Sequence, residues 1–250
     1  DHWNQSVLLK PDGQLDPAVI QDALAFLDST HDALRARFER DRNGWRQIYG
    51  EPGAAPVLRV VRCTSDRAEK TVQEEMSSLH ASFDLQHGPL WGAILVDIDG
   101  AEQRLGIAAH HLLVDGVSWR ILIEDLNAVI SARDNGEALP AVNRSHSAGE
   151  WVRQMTALKT SELEIAHWTD VCAAEIPLLP IDHLSGTNLV SDTDVIEHVV
   201  SVDATRQLLQ DVPSTYPIKV DEVLVAALFL TAREGTGHDT LRVILEGHGR

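Results

Sequence analysis

The sequence predicts an α/β chain in which helices alternate with short strands, arranged as two lobes. Three observations carry that expectation. Apolar stripes at helical spacing alternate with short β-compatible runs, an Asp-Gly turn joins the two strongest strands, and the aperiodic stretch Ile176 to Thr193, with Pro177, Pro180 and Gly186, reads as a linker. The expected division is a first lobe over 1–178, followed by a linker and the beginning of a second lobe over 179–250. With 44% hydrophobic and 24% charged residues in 250 positions, the chain has enough apolar material for a core in each.

The elements follow in order. Ser6 to Leu9 reads as a strand. Asp16-Pro17 then supplies a helix cap with proline in the first turn, where its missing N–H does no harm, and Ile20, Leu24 and Leu27 repeat at helical spacing. Short strands are expected around Leu34 to Phe38, Trp45 to Tyr49 and Val57 to Val61. Val72, Met76, Leu79 and Phe83 place one apolar stripe on a helix ended by Asp84 to Pro89. Trp91 to Ile98, Asp99-Gly100 and Gln103 to Ala109 form the clearest hairpin. Beyond it, Ile121, Leu122, Leu126, Val129 and Ile130 mark a helix stopped by Asn135-Gly136, and further helices are expected around Trp151 to Leu158 and Glu162 to Ala173. After the linker come a strand near Val195 to Val202, helices near Thr205 to Val212 and Val220 to Ala232, and a strand over Leu241 to Leu245.

Charge narrows the function. Twenty-one Lys and Arg against 38 Asp and Glu give a net charge of −17, which repels phosphate backbones and anionic bilayers, so neither nucleic acid nor membrane is an expected partner. The longest apolar runs, such as Val223 to Leu230, fall far short of the roughly 20 residues of a membrane span. Cys63 and Cys172 form no Cys-x-x-Cys pattern, which favours a reducing, cytoplasmic setting. Asn4-Gln5-Ser6 and Asn143-Arg144-Ser145 match a glycosylation triplet, a pattern short enough to arise by chance. Both ends of the chain read as cut from something longer.

Of the 12 histidines, His110-His111 stand out because they end a buried-looking strand and run into Leu112-Leu113-Val114-Asp115-Gly116-Val117-Ser118-Trp119. Adjacent strand residues point to opposite faces, so the two rings do not chelate one ion, and there is no His-Glu-x-x-His. One imidazole then belongs to a pocket, where it moves a proton near neutral pH, and the other to structure. Asp115 is expected to hold the turn. A plain strand-to-helix turn, with a satisfied core histidine and Ser118 capping the helix, fits the same spacing. Glu246-Gly247-His248-Gly249-Arg250 closes a second apolar strand, with glycines that admit close approach and a carboxylate that desolvation can tune into a base; a polar turn fits as well.

Taken together, the two segments are more specific. His110-His111-Leu112-Leu113-Val114-Asp115-Gly116 resembles the His-His-x-x-x-Asp-Gly signature of the chloramphenicol-acetyltransferase-like superfamily, which includes the condensation and epimerization domains of nonribosomal peptide synthetases. Val117-Ser118-Trp119-Arg120-Ile121-Leu122, Glu246-Gly247-His248-Gly249-Arg250 and the opening Asn4-Gln5-Ser6-Val7-Leu8-Leu9 are similar to the epimerization branch. The resemblance implies a two-lobed chloramphenicol-acetyltransferase-like fold with a tunnel between the lobes, the second lobe incomplete here. It implies an isomerase that epimerizes the α-carbon of an aminoacyl or peptidyl thioester during peptide antibiotic biosynthesis. The thioester is delivered on the phosphopantetheine arm of a peptidyl carrier domain, with neighbouring synthetase domains as further partners, and the domain itself binds no cofactor or metal. By matched position His111 and Glu246 are the catalytic pair, with His110, Asp115, Gly116, Ser118, Trp119 and His248 in supporting places. The branch normally continues past its Glu-Gly-His-Gly-Arg segment, so activity of these 250 residues alone is not implied. Two rivals share the fold: a condensation domain that forms peptide bonds, and a noncatalytic module that docks carriers.

Overall fold

A computed structural model of the chain describes residues 3–42, 44–141, 147–176, 179–181, 185–187 and 189–245. It separates into two compact units, Asp1–Leu158 and Lys159–Arg250.

The first unit is built on a four-stranded sheet in the order β1 (Asn4–Leu9), β6 (Glu102–His110), β5 (Trp91–Ile98), β4 (Arg59–Cys63). β4 runs parallel to β5 and the other pairs are antiparallel. The parallel pair needs a crossover, which α2 (Ala68–Ala81) provides. β5 is buried on both faces, which explains why Trp91 to Ile98 reads as a continuous apolar run. Trp91, Ala93 and Leu95, with Leu105, Ile107 and Ala109 of β6, join a core shared with Ile20, Leu24 and Leu27 of α1 (Pro17–Thr30) and Leu122, Leu126 and Val129 of α3 (Gly116–Asp134). The alternate residues Ile94, Val96, Ile98 and Ala108 meet Leu79, Val72 and Met76 of α2 on the other face. Period-two alternation thus assigns each helix its side.

Local chemistry fixes the ends. Asp16 caps α1 by accepting from Ala18 N–H at 2.8 Å, with Pro17 at the first helical position. Asp99 and Gly100 both take positive φ, 54° and 68°, between β5 and β6. β2 (Ala36–Asp41) and β3 (Gly44–Tyr49) form a separate two-stranded sheet, and α4 (Ala148–Ala157) follows behind a Ser147–Glu150 capping box. The expected strand at Leu34 begins instead as a 3₁₀ turn, Asp32–Arg35, held by Arg35 donating to the carbonyls of Asp28 and Gly50; the strand proper starts at Ala36.

The described part of the second unit is helical: α5 (Glu162–Ala173), α6 (Val202–Arg206), a π turn over Gln207–Asp211, α7 (Val212–Thr215) and α8 (Val220–Thr236). Arg242 ties the later chain to the end of α5 by donating to the carbonyls of Val171 and Ala174 at 3.0 and 3.1 Å. The strands expected over Val195 to Val202 and Leu241 to Leu245 are not formed. A strand needs a neighbour to take its N–H and C=O groups, and no described segment of this unit pairs with either. Among the described residues no helix is long and apolar enough to cross a membrane.

Gly106 lies where α2 comes closest to the sheet: a Cβ there would sit 2.4 Å from Met76 Sδ and 3.0 Å from Ile94 Cγ1. Gly106→Ala is expected to lower stability by about 1–3 kcal/mol through overpacking. In a Met76→Ala background the loss should shrink, because the obstructing thioether is gone. Urea unfolding of the four proteins of this cycle measures the coupling.

Candidate active site

The site is built where β6 leaves the sheet. His110 N–H still bonds Leu90 carbonyl at 2.8 Å on the β5 side, and His111 N–H bonds Trp3 carbonyl at 2.8 Å on the β1 side. Leu113 N–H then returns to His110 carbonyl at 2.9 Å and the chain turns toward α3. Two consecutive rings therefore meet two environments. His110, 4% exposed, is turned into structure, its Nδ1 accepting from Leu112 N–H at 3.2 Å. His111 is half-buried and lies within a connected set of side chains.

The protonation pattern of that set is dictated from its two ends. The Nε1–H of Trp119, which only donates, points at Gln5 Oε1 at 2.9 Å. The Gln5 amide is thereby oriented with its NH₂ toward His111 Nε2, 3.2 Å away. At the other end Val114 carbonyl, which only accepts, lies 2.8 Å from His111 Nδ1. Nδ1 therefore carries the hydrogen and Nε2 the lone pair. Trp119 itself is held in the α1–α3 core.

Asp115 begins α3. Its Oδ1 accepts from Ser118 N–H at 2.8 Å and from the Ser118 hydroxyl at 2.7 Å, while its own N–H donates to Ser118 Oγ at 3.1 Å. This is a capping box in which Asp115 is the cap and Ser118 the reciprocating third residue, the reverse of a Ser118 cap. The carboxylate also faces the positive end of a 19-residue helix. A Cβ added at Gly116 would meet nothing within 4 Å, so nothing in the structure accounts for a glycine there. Glu246 and His248 lie outside the described residues.

Gln5 is the residue that sequence reasoning passed over, since it stood out only within the Asn4-Gln5-Ser6 triplet and the opening strand. Its signal was positional. On β1 it shares parity with Val7 and Leu9, both packed against the core, so it is a lone amide on an apolar face.

A cleft of about 490 Å³ lies elsewhere on the first unit, lined by Trp45 and residues 81–86. Its one titratable lining residue, Asp84, is held below the usual carboxylate range by its hydrogen bond to His87 and by the N–H groups of Gln86 and His87. An exposed, strongly ionised turn carboxylate is a poor base, and the cleft contains none of the His-His segment. No cluster of three metal-ligating side chains occurs among the described residues.

The family model for the condensation domain matches residues 1–250. The chain belongs to the condensation-domain family. Among curated relatives of this condensation-family chain, a linear gramicidin synthase polypeptide of Brevibacillus parabrevis is 36% identical over 252 residues, covering all of the chain and 5% of that protein. Surfactin synthase subunit 2 of Bacillus subtilis is 31% identical over 256 residues, again over the whole chain and 7% of the relative. The chain thus spans a small fraction of the synthetase polypeptides it matches. Among solved structures, the epimerization domain from the third module of tyrocidine synthetase B superposes with a TM-score of 0.84 at 26% identity, over 95% of this chain and 55% of that one. The starter condensation domain of rhizomide synthetase gives 0.59 at 24% identity over 69% of the chain and 42% of that domain, a likeness of fold. The mixed α/β architecture is accordingly the chloramphenicol-acetyltransferase-like fold of condensation domains.

Removing the cap tests the role of Asp115. Asp115→Ala is expected to lower unfolding free energy by about 1 kcal/mol, and Asp115→Asn, which keeps an acceptor for Ser118 N–H, to retain most of it. Denaturant midpoints of the two variants decide the matter.

Proposed function

We propose that this condensation-family chain contributes to an isomerase site that epimerizes the α-carbon of an aminoacyl or peptidyl thioester on the phosphopantetheine arm of a peptidyl carrier domain. The observation that carries the reading is the likeness to an epimerization domain along 95% of the chain. The residues similar to that branch are also in contact: Trp119 bonds Gln5, and Gln5 bonds His111.

The chemistry requires little. A thioester carbonyl acidifies the α-hydrogen; a base removes that proton, leaving an enolate with its charge on the thioester oxygen. An acid on the opposite face returns a proton to the α-carbon, and the centre inverts with no net change in composition. The two side chains end with their protonation states exchanged and re-equilibrate with solvent. His111, with its lone pair on Nε2, supplies one of these groups and Glu246 the other; each positioned acid or base is worth roughly 10² to 10⁴ in rate. The exposed apolar side chains of Leu112, next to His111 in sequence, and Val117, six residues on, suit the uncharged pantetheine portion of a tethered arm.

Condensation is the second reading, favoured by the family whose model matches. There His111 would assist an attacking amine, and a carboxylate at position 246 would have no step to perform. Deuterium wash-in at the α-carbon of a carrier-loaded thioester, measured in the natural full-length protein, separates the two. Epimerization predicts exchange that falls at least about 10²-fold in His111→Ala and in Glu246→Gln. Exchange that survives the double substitution refutes it, and peptide-bond formation without exchange supports condensation.

A further inference from the structure

We propose that Gln5 is a positioning residue that selects which nitrogen of His111 is basic. The proposal rests on reading His111 as a proton-transfer group, but its geometry does not. An imidazole with a free choice populates both neutral tautomers, and only one presents a lone pair at Nε2. Here two fixed groups remove the choice. Val114 carbonyl holds the hydrogen on Nδ1 at 2.8 Å, and the Gln5 amide places an N–H against Nε2 at 3.2 Å. The amide cannot turn over, because its oxygen is engaged by the Trp119 indole at 2.9 Å and turning would set two donors face to face. Gln5 is itself fixed by β1, where it pairs in register with Ala109, two residues before His111. The fold thus carries orientation from a core tryptophan, through an edge-strand amide, to a ring nitrogen. At 3.2 Å the Gln5 contact is at the long end of the hydrogen-bond range, strong enough to orient the ring and weak enough to give way when Nε2 takes a proton.

The same geometry states what an altered residue 5 does. Methionine keeps length and volume and loses the donor, so only the Val114 carbonyl still opposes the Nε2–H tautomer, which becomes less disfavoured. Glutamate keeps the acceptor for Trp119 but presents a second acceptor to Nε2, which calls for a hydrogen on both ring nitrogens. Ring ¹⁵N NMR of the ¹⁵N-histidine-labelled full chain reads these states directly, with the His111 signals assigned by their loss in His111→Ala. The expected result is the Nδ1–H tautomer in the wild type, a mixture in Gln5→Met, and a doubly protonated ring at neutral pH in Gln5→Glu. Trp119→Phe, which frees the amide, should reproduce part of the Gln5→Met spectrum, and an unchanged denaturant midpoint in either variant separates the effect from unfolding. In the full-length protein, α-proton exchange should fall about 10- to 100-fold in Gln5→Met. A wild-type ring with its hydrogen on Nε2, or Gln5→Met and Gln5→Glu spectra identical to wild type, overturns the proposal. The expected spectra in a wild-type protein that shows no α-exchange leave it standing and overturn the epimerase reading instead.

Discussion

The site depends on one constraint: a hydrogen-bond chain whose two end groups have no freedom. The Trp119 indole can only donate and the Val114 carbonyl can only accept, and between them lie two side chains, Gln5 and His111, each of which alone could point either way. The ends settle both. A half-buried imidazole at the end of a strand becomes a ring of defined tautomer through two uncharged groups, the Gln5 amide and the Val114 carbonyl.

The rest of the first unit places those four groups. β6 is central and buried, so its last residues are rigid; pairing with β1 on one side brings Gln5 beside Ala109, and packing of α3 on the same face brings Trp119 over Gln5. The Asp115–Ser118 box starts α3 immediately after the turn, which fixes the distance between the histidines and the indole. His110 and His111 divide the work that their alternation imposes, one ring satisfied by its own turn and the other facing the amide. Gly106 lets α2 close on the opposite face, so the sheet behind the site is covered on both sides.

Much of this was legible in the sequence where the signal was local. The Asp16-Pro17 start, the Asp-Gly hairpin, the α2 stripe and the stop at Asn135-Gly136 each depend on residues within a turn or two of one another. The turn after His111 was legible as well, although the cap is Asp115 and Ser118 only answers it. What stayed hidden was non-local. Gln5 reaches His111 and Trp119 across 106 and 114 residues of sequence, and no periodicity reports such a pairing. The strands expected at Val195 to Val202 and Leu241 to Leu245 failed for the same reason in reverse, since apolar β-branched composition names a candidate strand but not its partner.

On the proposed reading, Nε2 of His111 is the nitrogen that meets the substrate. A crystal structure of the full-length protein with an aminoacyl-pantetheine thioether, an unreactive mimic of the thioester, would show whether it does. The α-carbon is expected at about 3–3.5 Å from His111 Nε2, with the Gln5 amide moved aside and the Nδ1–Val114 bond kept. An α-carbon lodged in the cleft beside Trp45, or facing His110 instead, would refute that assignment.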